Sequence, residues 1–270
     1  MDQDLLFAFL ITLFAGLATG VGGLIVFFSK TTNKKFLAAC LSFSVGVMLY
    51  IAFAELFFES LESLEYSYGE EIGYLITTLS FFAGIALMWL INWFLFRKKA
   101  VPETDNFENQ LLMNTQDLKE TGVMSATALA IHNFPEGIIT FMAAMYSPMV
   151  GISIAIAIII HNIPESIAMA TPIYYSTGSR AKALLVSFGV GLTEPLGALL
   201  AWVLLQNIFD DMEPIFGISF AIAAGIMVFV ALNQLLPSAR RYAKHKFIMQ
   251  WLFVGMAIMA LSLVIIEFVF

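Results

Sequence analysis

Five stretches of this chain, Leu5 to Ser29, Phe36 to Ala54, Ile72 to Phe96, Pro214 to Ala239 and Phe247 to Ile266, run without one charged side chain. Each approaches or exceeds the ~20 apolar residues that an α-helix needs to cross the hydrocarbon core of a bilayer. In that medium no water satisfies the backbone N–H and C=O groups, so a spanning chain must be helical or a closed barrel. Barrel strands are alternating segments of ~10 residues, which these uniform runs are not. Composition agrees, with 60% of the 270 residues hydrophobic and 12% charged, about half the charged share of a soluble domain. The 26 Phe exclude a disordered chain, and the single cysteine, Cys40, excludes a disulfide scaffold. With 13 Lys+Arg against 20 Asp+Glu, no nucleic-acid partner is expected. The sequence reads as an all-α integral membrane protein.

Three further spans carry ionisable groups. Between Glu120 and Arg180 the only acids and imidazoles are His132, Glu136, His161 and Glu165, and Tyr146-Ser147-Pro148 divides that stretch in two. Ala183 to Phe209 is interrupted only by Glu194. Eight transmembrane helices are therefore expected, over 5–28, 36–58, 72–96, 122–146, 150–174, 182–208, 214–238 and 247–269, in one transmembrane domain covering 1–270. All 13 basic residues fall in the odd-numbered loops: Lys30, Lys34 and Lys35; Arg97, Lys98, Lys99 and Lys119; Arg180 and Lys182; Arg240, Arg241, Lys244 and Lys246. The positive-inside rule then places those loops in the cytoplasm and both termini outside. The even loops are acidic or neutral. Residues 97–121, mixed in charge, read as a cytoplasmic linker between helices three and four. Met1-Asp2-Gln3-Asp4 has no basic n-region, so a retained first helix is expected rather than a signal peptide.

Titratable side chains at mid-membrane are costly and point to function. His132-Asn133-Phe134-Pro135-Glu136-Gly137 lies in helix four and His161-Asn162-Ile163-Pro164-Glu165-Ser166 in helix five, with His, Asn, Pro and Glu at matching positions. His and Glu at i and i+4 project from one face, a turn apart. The proline between them frees a carbonyl and kinks the helix beside that face. Imidazole nitrogen with carboxylate oxygen suits Zn²⁺, Fe²⁺ or Mn²⁺. Two such faces, with Glu194 from helix six, offer ligands for one four-coordinate ion or for two ions sharing carboxylates. The same motif on two oppositely directed helices implies a two-fold axis in the membrane plane, the mark of inverted-repeat transporters with a midplane site, and a 3+2+3 arrangement of helices. The competing explanation is a buried His–Glu hydrogen bond that only fixes packing; for Glu194 it is a packing partner of a histidine. His245, among Arg241, Lys244 and Lys246, reads as a solvated loop residue.

At these hexads the sequence resembles the ZIP family of divalent-metal permeases, its bacterial branch above all. Further likeness lies in Tyr174 to Arg180, Gly191-Leu-Thr-Glu-Pro-Leu-Gly197, Gly225-Ile-Met-Val228, and Gly46-Val-Met-Leu49 with Glu55. The resemblance spans nearly the whole chain except 97–121. It implies eight helices with both termini outside, and a two-metal centre of His132, Asn133, Glu136, His161, Asn162, Glu165 and Glu194. It also places Met48 where some members have a soft helix-two ligand, although a methionine in an apolar helix usually serves packing, and it puts Glu55 and Glu59 at the outer mouth. Two departures stand out: Ser166 replaces a usual glycine, and Asn233-Gln234 replace a usual acidic pair near the cytoplasmic exit. The expected activity is uptake of Zn²⁺, with Fe²⁺, Mn²⁺, Co²⁺ and Cd²⁺ as further cargo, into the cytoplasm across the inner (plasma) membrane. These ions are substrates, not resident cofactors. The partners are divalent metal ions and the lipid bilayer, with a homodimer as the assembly this reading admits. No P-loop is present to couple ATP, and an enzyme is not expected. The alternative is a membrane-embedded metal-dependent hydrolase, which lacks its H-E-x-x-H motif here; a di-iron oxidase would need Glu-x-x-His spacing, also absent.

Overall fold

The computed structural model describes residues 3–28, 33–96, 115–207 and 213–269. The described elements are all helical: α1 (Gln3–Phe28), α2 (Lys34–Ile51), α3 (Phe57–Tyr68), α4 (Glu70–Phe96), α5 (Thr115–Tyr146), α6 (Pro148–Thr177), α7 (Arg180–Gly191), α8 (Thr193–Asn207), α9 (Glu213–Val230), α10 (Leu236–Arg240) and α11 (His245–Val269). Five-residue π segments, Ala52–Leu56 and Ala231–Leu235, join α2 to α3 and α9 to α10.

Seven rods among the described residues are long and apolar enough to cross a membrane: Gln3–Phe28, Lys34–Tyr68, Glu70–Leu95, Pro148–Thr177, Arg180–Leu205, Glu213–Arg240 and His245–Phe268. The eighth expected segment is helical too, within the 32 residues of α5, but it is less apolar. His132, Asn133, Pro135 and Glu136 take four of its places. α6 carries the same four residue types and offsets them with Ile152, Ile154, Ile156, Ile158, Ile159 and Ile160.

Helix ends depart from the expected ones where polar turns continue a helix beyond its apolar run. The second rod runs to Tyr68 rather than 58, because α3 is amphipathic and buries Ser60, Ser63 and Leu64. Ser63 Oγ donates to the Glu213 carbonyl at 2.7 Å, and Leu64 fills the space left by Gly217. Gly69, at φ 84°, turns the chain into α4. α5 starts at Thr115, so the last part of the expected 97–121 linker is helical, while 97–114 lies outside the described residues. Pro148 opens α6, and Gly178 closes it in the left-handed conformation at φ 64°, the usual arrangement for these residues at helix ends.

The helix expected over 182–208 is two helices. Pro195 has no N–H to bond the Gly191 carbonyl, and the chain breaks at Leu192, whose ψ is −8°. α1 packs on α6 and α7, α5 on α6 and α8, α2 on α11, and α4 on α9. Close glycine contacts set the last two pairings. A Cβ on Gly46 would strike the Leu252 carbonyl and one on Gly255 the Phe43 carbonyl, and Gly84 and Gly225 meet Ile222 and Phe81 in the same reciprocal way.

The π segments expose a repeat. Gly46-Val47-Met48, then Ala52 and Glu55-Leu56, match Gly225-Ile226-Met227, then Ala231 and Gln234-Leu235, at one constant offset. Each follows a helix of 18 residues. A π turn carries one residue more than an α turn and occurs mostly at functional sites. Here both copies fall on rods that line the interior.

Candidate metal centre

α5 and α6 lie side by side, each with its proline inside the helix. On each, His and Glu are one turn apart and share a face. The two faces interlock crosswise. His132 Nε2 meets Glu165 Oε2 at 2.9 Å, and His161 Nε2 meets Glu136 Oε1 at 3.3 Å. Each histidine thus pairs with the glutamate of the other helix rather than its own. Glu194 stands in the first turn of α8, brought to the same layer by the break at Leu192. Its Oε1 accepts from Asn162 Nδ2 at 2.6 Å and from Asn133 Nδ2 at 3.1 Å. All seven residues named from the sequence therefore meet in one place, and none is more than 2% exposed.

Close packing holds the layer. A Cβ on Gly137 would strike the Glu194 carbonyl, and one on Gly197 the Phe134 carbonyl. Gly16 and Gly191 abut in the same way and bring α1 against the break. Gly137→Ala should therefore push α5 and α8 apart, at a cost of ~1–3 kcal/mol for overpacking. The expected result is a lower unfolding midpoint in detergent, together with weaker metal binding, although no ligand has been removed.

Six of these seven side chains each leave one buried polar atom without a partner: His132 Nδ1, Asn133 Oδ1, Glu136 Oε2, Asn162 Oδ1, Glu165 Oε1 and Glu194 Oε2. Unsatisfied buried polar atoms are rare, and each calls for an explanation. Both amides point their NH₂ groups at Glu194 and keep the oxygen free, so five of the six are oxygen acceptors. His161 differs. Its Nδ1 lies 2.8 Å from the Ala157 carbonyl, to which it donates. Its Nε2 is then a lone pair facing a carboxylate oxygen, and a proton must lie between them. Among the described residues the two histidines are the only ion-pair partners of these three carboxylates, and Glu194 has none. Carboxyl groups buried together in this way are held by counter-charge, by protons or by metal. No three His, Cys, Asp or Glu groups among the described residues already stand as a metal cage, because the histidines and glutamates are closed on each other.

Thr19 of α1 also reaches the layer, its Oγ1 accepting from Asn133 Nδ2 at 3.3 Å, and Ser44 of α2 donates to the His161 carbonyl at 3.1 Å. Neither was singled out from the sequence. The signal for Thr19 was its place in Gly16-Leu-Ala-Thr-Gly-Val-Gly-Gly23, where small residues let two backbones approach. A cavity of about 120 Å³ leads away from the centre, lined by His132, Glu165, Gln234, Arg241 and Tyr242 among others. Burial pushes the Tyr242 phenol above its usual range. The adjoining amides of the sequence separate here: Gln234 lines this cavity and has a buried, unpartnered Nε2, whereas Asn233 is exposed on the outside of the rod. Met48 is fully buried in the apolar core. Glu55 and Glu59 are half-buried. Ser166 is accommodated by Gly22, which leaves room for its Cβ. His245 is exposed at the start of α11.

Residues 108–263 match the sequence model of the ZIP zinc transporter family. A zinc transporter ZupT of Clostridium perfringens is 45% identical over 278 residues, covering 97% of this chain and 97% of that protein. One of Oceanobacillus iheyensis is 47% identical across 98% of this chain and 99% of its own length. One of Streptococcus mutans is 43% identical with the same coverage.

Proposed function

Because the chain belongs to the ZIP zinc transporter family, we propose that it carries divalent metal cations, zinc first, across the cell membrane into the cytoplasm. One observation carries the reading: two crosswise His–Glu pairs and a shared glutamate leave five oxygens and one imidazole nitrogen without partners in a buried layer. His132, Asn133, Glu136, His161, Asn162, Glu165 and Glu194 are the ligands in this reading, arranged as two subsites. His161 and Glu165 belong to the subsite with imidazole, and Glu194 with the two asparagine oxygens forms the harder one. Oxygen-rich sets accept Mn²⁺ and Fe²⁺ as well as Zn²⁺, so Fe²⁺, Mn²⁺, Co²⁺ and Cd²⁺ are included as cargo. The experiment is zinc uptake by proteoliposomes in competition with Mn²⁺, Fe²⁺ and Cd²⁺. Accumulation against which none of the three competes would confine the reading to zinc.

The transport layout completes the proposal. Eight helices cross the inner membrane as a single domain, with both termini outside and the 97–114 segment in the cytoplasm. The crosswise pairing of α5 with α6, and the matching π segments of the second and seventh rods, support an inverted 3+2+3 repeat. Glu55 and Gln234 occupy equivalent places in that repeat, one toward the outer mouth and one on the cavity toward the cytoplasm. An arriving cation separates each histidine from its glutamate and expels the proton between them. Asn233 lies outside this route, so Gln234 alone should tune release. Gln234→Glu is expected to slow zinc release while leaving equilibrium binding at the centre unchanged, as read by efflux from preloaded proteoliposomes. The chain is not an enzyme in this reading: a hydrolase needs an open position on the metal and a cleft for its substrate.

Proton release gives a pH dependence with a fixed sign. Ligands must be deprotonated to hold metal, so zinc affinity should be full above the ordinary histidine range near ~6.5 and fall below it. Each imidazole that must lose a proton contributes a loss of about tenfold per pH unit below that range. Zinc titration across this range checks it; an unchanged affinity well below ~6.5 would exclude histidine ligation.

A further inference from the structure

Away from the centre, an apolar groove of about 870 Å³ opens among α4, α5, α6 and the α7–α8 pair. Val123 and Lys182 bound one end of it, and Phe134, Pro135 and Thr193 the other. From Val123 to Phe134 a helix rises about 16 Å at ~1.5 Å per residue, roughly half of a ~30 Å hydrocarbon core. The groove therefore runs the depth of one leaflet. The hydroxyls on its wall are closed on their own helices: Thr127 donates to the Val123 carbonyl, Ser176 and Thr177 to that of Ile173, and Thr193 to that of Val190. What remains is an apolar trough with a single cation at one end. Lys182 is exposed, and among the described residues no carboxylate pairs with it.

We propose that this groove seats one acyl chain of an anionic phospholipid, with its phosphate on the Lys182 ammonium and its tail reaching Phe134 and Pro135. The chemistry selects this ligand. An apolar body with one negative end matches a trough whose wall hydroxyls are closed on their own helices and whose rim carries a cation, and basic pockets between transmembrane helices take acidic head groups. In the orientation proposed above, on which only the choice of leaflet rests, Lys182 faces the cytoplasmic surface, where acidic lipids are concentrated. Phe134 and Pro135 stand between Asn133 and Glu136 in the chain, so a bound tail packs against the helical turn that carries those two side chains.

Native mass spectrometry of the detergent-purified full chain tests this with equimolar dioleoylphosphatidylglycerol and dioleoylphosphatidylcholine. The expected result is one retained phosphatidylglycerol per chain and little phosphatidylcholine. Lys182→Gln should reduce that retention roughly fivefold, the weight of one basic residue at an anionic surface. Lys246→Gln, the same charge change outside the groove, should not. Ala130→Trp fills the trough and should abolish retention with Lys182 intact. Equal retention of both lipids, or unchanged retention in Lys182→Gln or in Ala130→Trp, overturns the proposal. None of these readouts depends on metal transport.

Discussion

Glu165→Ala is expected to lower zinc affinity by more than about 100-fold, the upper end of what loss of a supporting group around a metal costs, because a direct ligand is lost. It also strips His132 Nε2 of its 2.9 Å partner and leaves a buried polar atom unsatisfied, which costs ~1–3 kcal/mol of stability. Glu165→Gln separates the two effects. The amide oxygen still accepts from His132, so the unfolding midpoint should stay near that of the parent, while the charge the cation needs is gone. Isothermal titration with zinc, run beside thermal unfolding in detergent, reads both. Near-parental affinity in Glu165→Gln would mean that the crosswise pairs serve packing only.

Glu194→Gln has the second large effect. Both asparagine amides converge on Glu194 Oε1, and a glutamine oxygen can receive the same two bonds, so the layer should remain assembled. What changes is Oε2, buried and unpartnered, whose place is taken by an NH₂ that repels a cation. The oxygen-dominated subsite should empty while the one containing His161 and Glu165 keeps its ion. Elemental analysis should then fall from two metal ions per chain to one, with Mn²⁺ and Fe²⁺ losing more uptake than Zn²⁺, since they depend more on oxygen donors. An unchanged stoichiometry and selectivity would reduce Glu194 to a packing partner and end the two-metal reading.

Much of this centre could be read from the chain because the relevant chemistry is local. His and Glu at i and i+4 share a helix face whatever the tertiary structure, and an ionisable group inside an apolar run is conspicuous. Hence the seven residues named from the sequence meet in one buried layer. How they partner is a matter of depth and rotation between helices, and so the exchange of glutamates between α5 and α6 was not legible. Nor was Thr19, which looks like one more small residue of α1 until Asn133 is beside it. The break before Glu194 did have a signal in Pro195, which a continuous apolar run over 182–208 concealed. Asn233 and Gln234 are neighbours in sequence, but successive residues of any helix point in different directions, so only one faces the cavity. Apolarity likewise marks where the membrane would end rather than where a helix does, which explains why α3 continues to Tyr68.

Proteoliposomes holding a zinc-sensitive dye, with zinc added outside to the parent chain and to Glu165→Gln, test most directly the proposed passage of the ion through this layer, as distinct from binding in it. The parent is expected to give a saturable rise in the internal signal that acidification of the outer medium suppresses, and Glu165→Gln to give none above empty vesicles. Tight zinc binding by the parent with no rise inside, or a rise of equal rate in Glu165→Gln, would contradict that passage.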